Sequence, residues 1–294
     1  MSLETLLGQQ ILNGLVMGAI YACMALGLTL IYGILDQVNF AHGEMYMLGA
    51  YAVLVFSSWL HFPYPLAILL GMVAIAILGL LFEHGIFRPL RGTPELNTII
   101  ASLGASIFLW NLALVVFGPI PQELKTSIAF QSVQIGPLST SVQRLLVIFV
   151  SVGIIGILYL VIMRTRIGKA MRAASQDRDI AQLMGVDIGR IAELTFMVGG
   201  ALAALAGGLI APIFLVYPSM GLMAAQKAFV VVILGGMGNV LGAITAGFFL
   251  GVVESIAAGF VSSQLRDLFA FAILVLVLWI RPEGFFGRTA KKGG

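Results

Sequence analysis

The chain consists largely of apolar runs that are long enough to cross a lipid bilayer. These runs are Ile11–Tyr32, Phe40–Leu60, Tyr64–Phe87, Thr98–Phe117, Val142–Met163, Ile191–Phe214, Met223–Leu234, Leu241–Phe260 and Leu268–Ile280. A helix that crosses the ~30 Å hydrocarbon core needs about 20 such residues. Charged residues make up only 10% of the sequence, whereas soluble domains carry roughly 25%. The pattern predicts an all-α, polytopic membrane protein of about eight or nine helical segments, forming a single domain over residues 1–294.

Two glycine-rich breaks interrupt these runs, one in each half of the chain. Gly33–Asn39 separates the first two runs, and Gly235–Asn239 follows Met223–Leu234, which is too short to cross alone. Non-helical backbone at membrane depth is tolerated only where it is buried in protein or lines a wet cavity. Paired breaks of this kind indicate a transport pathway. The alternative is that each break is an ordinary tight loop at the membrane surface.

The distribution of Lys and Arg predicts which segments are cytoplasmic. Arg164–Arg190 holds six of the 16 basic residues. Four more follow the last run, namely Arg281, Arg288, Lys291 and Lys292. Basic residues collect on the cytoplasmic side, so both segments, and the C-terminus with them, should face the cytoplasm. Gly118–Ser141 contains only Lys125 and Ala211–Leu222 contains no basic residue, so both should face outward. The side of the N-terminus depends on whether both broken segments cross, and the sequence leaves it open.

The segment Gly168–Met184 has the pattern of a short amphipathic helix, and Gly185 is a plausible cap at its end. Its predicted apolar side comprises Ala170, Met171, Ala174, Ile180, Ala181, Leu183 and Met184, and its polar side comprises Lys169, Arg172, Gln176, Asp177, Arg178 and Asp179. Such a helix, lying across the membrane face, can press into a groove of a soluble partner. The alternative is a loop whose charges only fix topology, but that does not explain the acidic residues Asp177 and Asp179.

Four polar side chains lie at predicted membrane depth. Asn39, His42 and Glu44 follow the first break, and Glu254 lies inside the eighth apolar run. Ionisable groups at this depth are costly and usually line a path or pair with one another. The first three either contact a passing substrate or satisfy the broken backbone around them. Glu254 either contacts the substrate or pairs with a neighbouring span.

Small residues recur every four positions along several runs. They are Gly14/Gly18/Ala22, Gly199/Ala203/Gly207, Gly238/Gly242 and Gly247/Gly251. Such faces let helix backbones approach closely. Close packing within this one chain is sufficient for most of them, and at least one face is a candidate contact for a second membrane subunit.

No catalytic or nucleotide-binding signature occurs in the sequence. Gly168-Lys169-Ala170 lacks both the first glycine and the hydroxyl residue of a phosphate-binding loop, and neither H-E-x-x-H nor G-x-S-x-G is present. The three histidines, His42, His61 and His84, are dispersed and show no metal-ligand spacing. We therefore expect no enzymatic activity, no metal site and no bound cofactor. The small formal charge of +3 lies in the loops and does not indicate nucleic-acid binding.

Three stretches of the chain carry a family resemblance that spans nearly its whole length. The first comprises Gly27–Gly33, Val38–Glu44 and Met47–Tyr51; the second runs from Arg164 to Ala174 and includes Ala181 and Gly185-Val186; the third comprises Gly235–Asn239, Gly242-Ala243 and Gly247. Together they closely resemble the permease subunits of branched-chain amino acid ABC (ATP-binding cassette) importers. The second stretch resembles that family's coupling segment, within residues Arg164–Arg190. The block Asn39–Glu44 is specific to the family.

The resemblance implies a multi-pass permease in the bacterial inner membrane. It would form half of the membrane pore of an importer that moves branched-chain or related amino acids. Its partners would be a second, homologous permease, two cytoplasmic ATPases that hydrolyse the ATP, and a periplasmic substrate-binding protein. Two alternatives remain open: a permease for urea or other amides, or an ion-coupled secondary carrier that uses Glu254, Glu44 or His42 and needs no partners.

The sequence therefore gives two sets of candidate functional residues. The predicted substrate pathway comprises Asn39, His42, Glu44, Glu254 and Asn239. The predicted contact with the ATPase comprises Arg166, Lys169, Arg172, Ala173, Ala174, Asp177, Arg178 and Gly185.

Overall fold

The computed structural model describes residues 3–126, 128–129 and 131–287, and these form a bundle of helices with one short hairpin. The helices are α1 (Leu3–Leu35), α2 (His42–Leu54), α3 (Tyr64–Phe82), α4 (Glu95–Phe117), α5 (Val142–Arg164), α6 (Arg166–Ala174), α7 (Arg178–Leu183), α8 (Ile188–Ile210), α9 (Met220–Gly235), α10 (Val240–Phe260) and α11 (Arg266–Ile280). The hairpin pairs β1 (Ser132–Ile135) with β2 (Leu138–Ser141) in antiparallel register. Single π turns, Val55–Trp59 and Glu83–Phe87, extend α2 and α3, and a 3-10 turn, Ser263–Leu265, precedes α11.

The predicted all-α, polytopic class is confirmed. Seven of the described helices are long and apolar enough to cross a membrane, counting α3 with its π turn and α11 with the preceding 3-10 turn. Helix α9 has 16 residues, or about 24 Å at 1.5 Å per residue, and is shorter than the hydrocarbon core. Three of the basic residues expected at the cytoplasmic C-terminus, Arg288, Lys291 and Lys292, lie outside the described residues.

The first helix differs from its predicted bounds. Helix α1 has 33 residues and continues three residues past Tyr32, so the first part of the predicted break, Gly33–Leu35, is helical. Asp36 ends the helix in the left-handed region, at φ 43°, which aspartate tolerates better than most residues. The prediction that the break begins at Gly33 is therefore wrong. The irregular backbone is Asp36–Ala41, between α1 and α2.

The small-residue faces bring helices into backbone contact within this chain. A Cβ added at Gly18 would lie 2.7 Å from Phe248 Cα, and one added at Gly247 would lie 2.8 Å from Ala22 Cα. Helices α1 and α10 therefore pack backbone to backbone. The face containing Gly199 packs against Gly27 of α1 and against α2 in the same way. The predicted faces are thus occupied inside the chain, which leaves none of them as a contact for a second subunit.

Contacts between distant segments fix which ends of the helices lie together. Gln9 Oε1 accepts a hydrogen bond of 3.3 Å from the Ser139 amide, so the start of α1 lies beside the hairpin. Gln122 and Val216 exchange two backbone hydrogen bonds of 2.8 Å, which places the connection after α8 at the same end. Helix α5 then runs to the opposite end, where α6 and α7 begin. The described start of α1 therefore lies opposite the basic segment Arg164–Arg190.

Candidate coupling segment and translocation pathway

The basic segment folds as two helices. The Thr165 hydroxyl caps α6 by accepting from Gly168 N at 3.1 Å, and the Asp177 carboxylate caps α7 by accepting from Ile180 N at 2.9 Å. The predicted single helix over Gly168–Met184 is therefore wrong, because Asp177 offers the backbone a new N-cap in the middle of it.

The end of α7 agrees with the sequence. Gly185 adopts φ 86°, its amide bonds to Gln182 O, and the Val186 amide bonds to Ala181 O, both at 3.0 Å. These two bonds and the left-handed glycine form a Schellman motif. The predicted glycine cap of this helix is confirmed.

The predicted apolar side is divided between two directions. Met171, Ala174 and Ala181 are buried against the rest of the bundle, and Ala174 is only 2% exposed. Leu183 and Met184 instead project from the surface, with exposed fractions of 87% and 80%. The prediction of one continuous apolar docking side is therefore wrong for Met171, Ala174 and Ala181, which face the bundle. The exposed pair at the end of α7 is the part that is free to meet another protein.

Arginines hold the two short helices to the bundle. Arg178 donates to Asp36 Oδ2 at 2.8 Å and to Ile34 O at 3.0 Å, so α7 is tied to the end of α1 at Leu35. Arg172 donates to the Ile162 carbonyl at the end of α5. The remaining predicted coupling residues lie outward: Arg166 and Lys169 are exposed and Ala173 is half-buried. Among the described residues, the side chains of Arg166 and Lys169 form no ion pair.

Both breaks and helix α6 border one cleft of about 450 Å³. Its walls include Tyr32 and Gly33 of α1, Asp36 just after that helix, Met171 and Arg172 of α6, and the turn Met237–Leu241. A Cβ added at Gly33 would lie 2.8 Å from Gly238 Cα, so the last turn of α1, just before the first break, touches the second break. Helix α6 thus borders the same cleft as the end of α1 and the second break.

Glycine and asparagine shape the second break. Gly236 and Gly238 adopt φ 92° and 80°, values that residues with a Cβ rarely adopt. Asn239 caps α10, accepting from Gly242 N at 2.9 Å, and its amide donates to Phe286 O at 3.0 Å. The predicted second break is confirmed over Gly236–Asn239, whereas Gly235 is still the last residue of α9. Asn239 borders the cleft, and its side-chain amide is engaged in this turn.

Helix α2 begins inside the bundle, beside the middle of α1. His42 Nε2 lies 3.1 Å from Met24 O, and a Cβ on Gly27 would lie 2.8 Å from His42 Cε1. Gly27 precedes the end of α1 at Leu35 by eight residues, or about 12 Å. The first break therefore carries irregular backbone into the interior, as the pathway interpretation requires.

The predicted polar block lies at this start of α2. Asn39 Oδ1 accepts from Ala41 N at 3.0 Å, and Glu44 Oε1 accepts from Ser106 Oγ of α4 at 3.2 Å. Asn39, His42 and Glu44 are all buried. In the part of the chain that the structure describes, Asn39 Nδ2, His42 Nδ1 and Glu44 Oε2 have no hydrogen-bond partner. Buried polar atoms are usually paired, so this block keeps hydrogen-bonding capacity that the described residues do not use.

Glu254 has a different environment, because it is fully paired. Its Oε1 lies 2.5 Å from Lys227 Nζ, and its Oε2 accepts from Arg266 Nε at 3.0 Å and from Tyr21 OH at 2.8 Å. Lys227 also lies 2.8 Å from Asp267. Of the two alternatives for Glu254, pairing with neighbouring spans is confirmed. The sequence analysis missed Lys227 as its partner, although a single lysine within an apolar run is a signal for such a pair.

A second ionic cluster joins the end of α3 to the start of α8. His84 Nδ1 lies 3.2 Å from Glu83 and its Nε2 lies 3.3 Å from Glu193, so these three side chains are close enough to hold a metal ion. The spacing of the histidines in the sequence did not predict this group. Arg91 pairs with Glu83, and Arg88 lies 3.6 Å from Glu193. The positive charges of these two arginines balance the negative charges of Glu83 and Glu193.

These features define a polytopic, helical membrane permease with irregular backbone between α1 and α2 and a separate two-helix basic segment. The family model described as the permease component of the branched-chain amino acid transport system matches residues 10–278. The chain belongs to this family, as its motifs predicted.

Relatives with curated names agree with the family. The chain is 36% identical over 293 residues to the high-affinity branched-chain amino acid transport system permease protein BraD of Pseudomonas aeruginosa, with 95% of each chain covered. It is 34% identical over 297 residues to the corresponding protein LivH of Salmonella typhimurium, again with 95% of each covered. The permease protein LivM of that organism is 25% identical over 299 residues, which cover 93% of this chain and 69% of LivM. No solved structure matches the chain.

Proposed function

We propose that the chain is one of two permease subunits of an ATP-driven ABC importer that carries branched-chain amino acids across the bacterial inner membrane. The observation that carries this proposal is the cleft bordered by α6, by the end of α1 with Asp36, and by the second break. A partner that moves α6 can thereby move the pathway. In this proposal two cytoplasmic ATPases hydrolyse the ATP, a periplasmic protein delivers the substrate, and this chain binds no cofactor. The names of its relatives support the substrate class.

The proposed orientation places Arg164–Arg190 and the C-terminus in the cytoplasm, because basic residues collect on that side. The start of α1 then faces the periplasm. Closure of the ATPase pair would pull on the exposed end of α7, at Leu183 and Met184. Arg178 passes this movement to the end of α1 through Asp36 and Ile34. The spans then reorient, and the pathway opens to the other side.

The proposed substrate path runs past the start of α2. A branched-chain amino acid carries an ammonium, a carboxylate and an apolar side chain. Glu44 Oε2 offers an acceptor for the ammonium, and Asn39 Nδ2 offers a donor for the carboxylate. Phe40 and Phe229, with ring centroids 5.1 Å apart, supply apolar surface beside them. Glu254 is excluded from this set because Lys227, Arg266 and Tyr21 already engage it.

Transport in proteoliposomes tests the proposed function. With the second permease, the ATPases and the binding protein, we expect leucine uptake that requires both ATP and the binding protein. His42→Ala and Glu44→Gln should lower uptake several-fold, because the first removes the imidazole and the second removes the negative charge offered to the ammonium, while the exposed end of α7 stays intact. The measurement is radiolabelled leucine accumulation, with co-purification of the ATPases as the assembly control.

Other outcomes would point to the competing functions. Uptake by this chain alone, driven by a proton or sodium gradient, would identify an ion-coupled carrier. ATP-dependent uptake of urea with none of leucine would identify an amide permease. Normal leucine uptake in both variants would remove His42 and Glu44 from the pathway while leaving the transport activity itself established.

A second prediction concerns the docking of the ATPase. Leu183→Asp places a charge on the most exposed apolar residue of α7, so we expect roughly tenfold or greater loss of ATPase co-purification, since 1.4 kcal/mol corresponds to a tenfold change in affinity. Leucine-stimulated ATP hydrolysis and uptake should fall together. The matched control is Ile120→Asp, which changes an apolar residue that is 75% exposed at the opposite end of the bundle. Equal co-purification for wild type and Leu183→Asp would contradict docking at this site.

A further inference from the structure

One face of α9 and the turn after it is exposed or half-exposed. It comprises Leu222, Met223, Gln226, Phe229, Ile233 and Met237, of which Phe229 and Ile233 are partly buried. The spacing of 222, 226, 229 and 233 follows the helical repeat, so these side chains form one stripe, and Met237 lies in the turn just after α9. We call it the Gln226 face.

The polar residue in this stripe lies near the middle of the membrane. Gln226 precedes the end of α9 at Gly235 by nine residues, or about 14 Å of a ~30 Å hydrocarbon core. Its side chain is exposed, and it forms no hydrogen bond with the described residues. An amide without a partner is costly in hydrocarbon, where water cannot satisfy it. The Gln226 face is therefore unsuited to lie against lipid.

The other exposed helix faces have a different character. Helices α5 and α11 expose apolar side chains such as Phe149, Ile157 and Val275, as expected for contact with lipid. Asn111 of α4 and Thr245 of α10 are exposed polar residues, but each donates to a carbonyl of its own helix, at 2.8 Å and 3.0 Å. Such internal bonds make a polar side chain tolerable in lipid. Gln226 has no such bond, so its face requires another occupant.

We propose that the Gln226 face packs against the second permease subunit of the importer. This inference rests on the proposed function, which requires two permeases. A periplasmic binding protein reaches only the outer end of the bundle and an ATPase only the basic end, so a face at mid-membrane depth is accessible only to another membrane-embedded chain. A glutamine amide can bond across such a helix contact.

The position of the Gln226 face within the fold is consistent with a contact to a second permease. Phe229, in the middle of the stripe, contacts Phe40 beside the buried polar block, and Met237, at its end, belongs to the second break. A second permease placed here would cover both broken segments. The substrate pathway would then lie close to the contact between the two subunits.

Site-specific photocross-linking tests this contact in the assembled transporter. Gln226 is replaced by p-benzoylphenylalanine, and the complex is irradiated in native membranes. We expect an adduct between this chain and a second permease, either another copy or a related chain, as its mass and peptides will show. The matched control carries the same probe at Val275 of α11, which is 68% exposed, and should give no such adduct.

A second probe position controls for local disruption of the contact by the bulky probe side chain at position 226. Met223 lies on the same stripe, and the probe there should give the same adduct. The proposal is overturned if both probes label only lipid, or if they react only with water, or if the Val275 probe labels the second permease equally well. This readout does not depend on transport. Loss of the adduct with normal uptake would refute the interface alone, and the adduct without leucine uptake would refute only the proposed function.

Discussion

Gly251→Leu should prevent the permease from folding, because α1 and α10 meet there without any side chain between them. A Cβ at Gly251 would lie only 2.5 Å from both Gly14 O and Gly18 Cα. Both atoms belong to the backbone of α1 and cannot rotate away. The two helices would have to separate along the contact that holds the centre of the bundle. Overpacking ordinarily costs about 1–3 kcal/mol, and we expect a cost at or above the top of that range here.

The chain supplies a matched control for this substitution. Gly153 lies in the middle of α5, and a Cβ there meets no atom within 4 Å. Gly153→Leu should therefore leave the protein folded. The measurement is the yield of monodisperse protein after detergent extraction, together with its midpoint of thermal aggregation. Comparable yields and midpoints for the two variants would show that the close approach of α1 and α10 is not essential to the fold.

Glu254→Leu should destabilise the bundle by about 3–5 kcal/mol, the usual cost of removing one partner from a buried ion pair. The substitution leaves Lys227 with only Asp267 as a counter-charge and leaves Arg266 without its carboxylate. Because Arg266 and Asp267 belong to α11, we expect the attachment of that helix to weaken first. The measurement is the free energy of unfolding in mixed micelles.

A double-mutant cycle separates the ion pair from simple packing. Lys227→Leu should also destabilise, but the double variant Glu254→Leu/Lys227→Leu should lose clearly less than the sum, because no uncompensated charge of this pair remains. The control is Glu123→Leu, whose exposed carboxylate lies 3.8 Å from exposed Lys125 and should contribute little. Additive losses in the double variant would argue against direct coupling of Glu254 and Lys227.

The family and the class of the protein could be predicted from local sequence because they depend on local patterns. Apolar run length gave the polytopic helical fold. The glycine cap of α7 and the second break follow from the left-handed conformations that Gly185, Gly236 and Gly238 adopt. The prediction of a single amphipathic helix over Gly168–Met184 was wrong, but the signal that divides this helix is also local, because Asp177 caps α7.

Only part of the candidate site could be predicted from local sequence. Asn39, His42 and Glu44 were placed together because they are neighbours in the sequence. The pairing of Glu254 with Tyr21 joins residues 233 positions apart, and hydropathy contains no information about such a contact. The amphipathic pattern likewise could not predict that Ala174 faces the bundle while Leu183 faces outward. An apolar side chain looks the same in sequence whichever surface covers it.

The sequence by itself thus determined that the chain spans the membrane, that breaks follow the first apolar run and Met223–Leu234, and which segment carries the basic charge. Each of these is a property of residues within one or two helical turns. The tertiary structure decided that the end of α1 meets the second break at Gly33 and Gly238, that α6 borders their cleft, and that Gln226 has no hydrogen-bond partner among the described residues. These depend on how separate helices pack, and in lipid that packing is set by shape and buried polar contacts between residues distant in sequence.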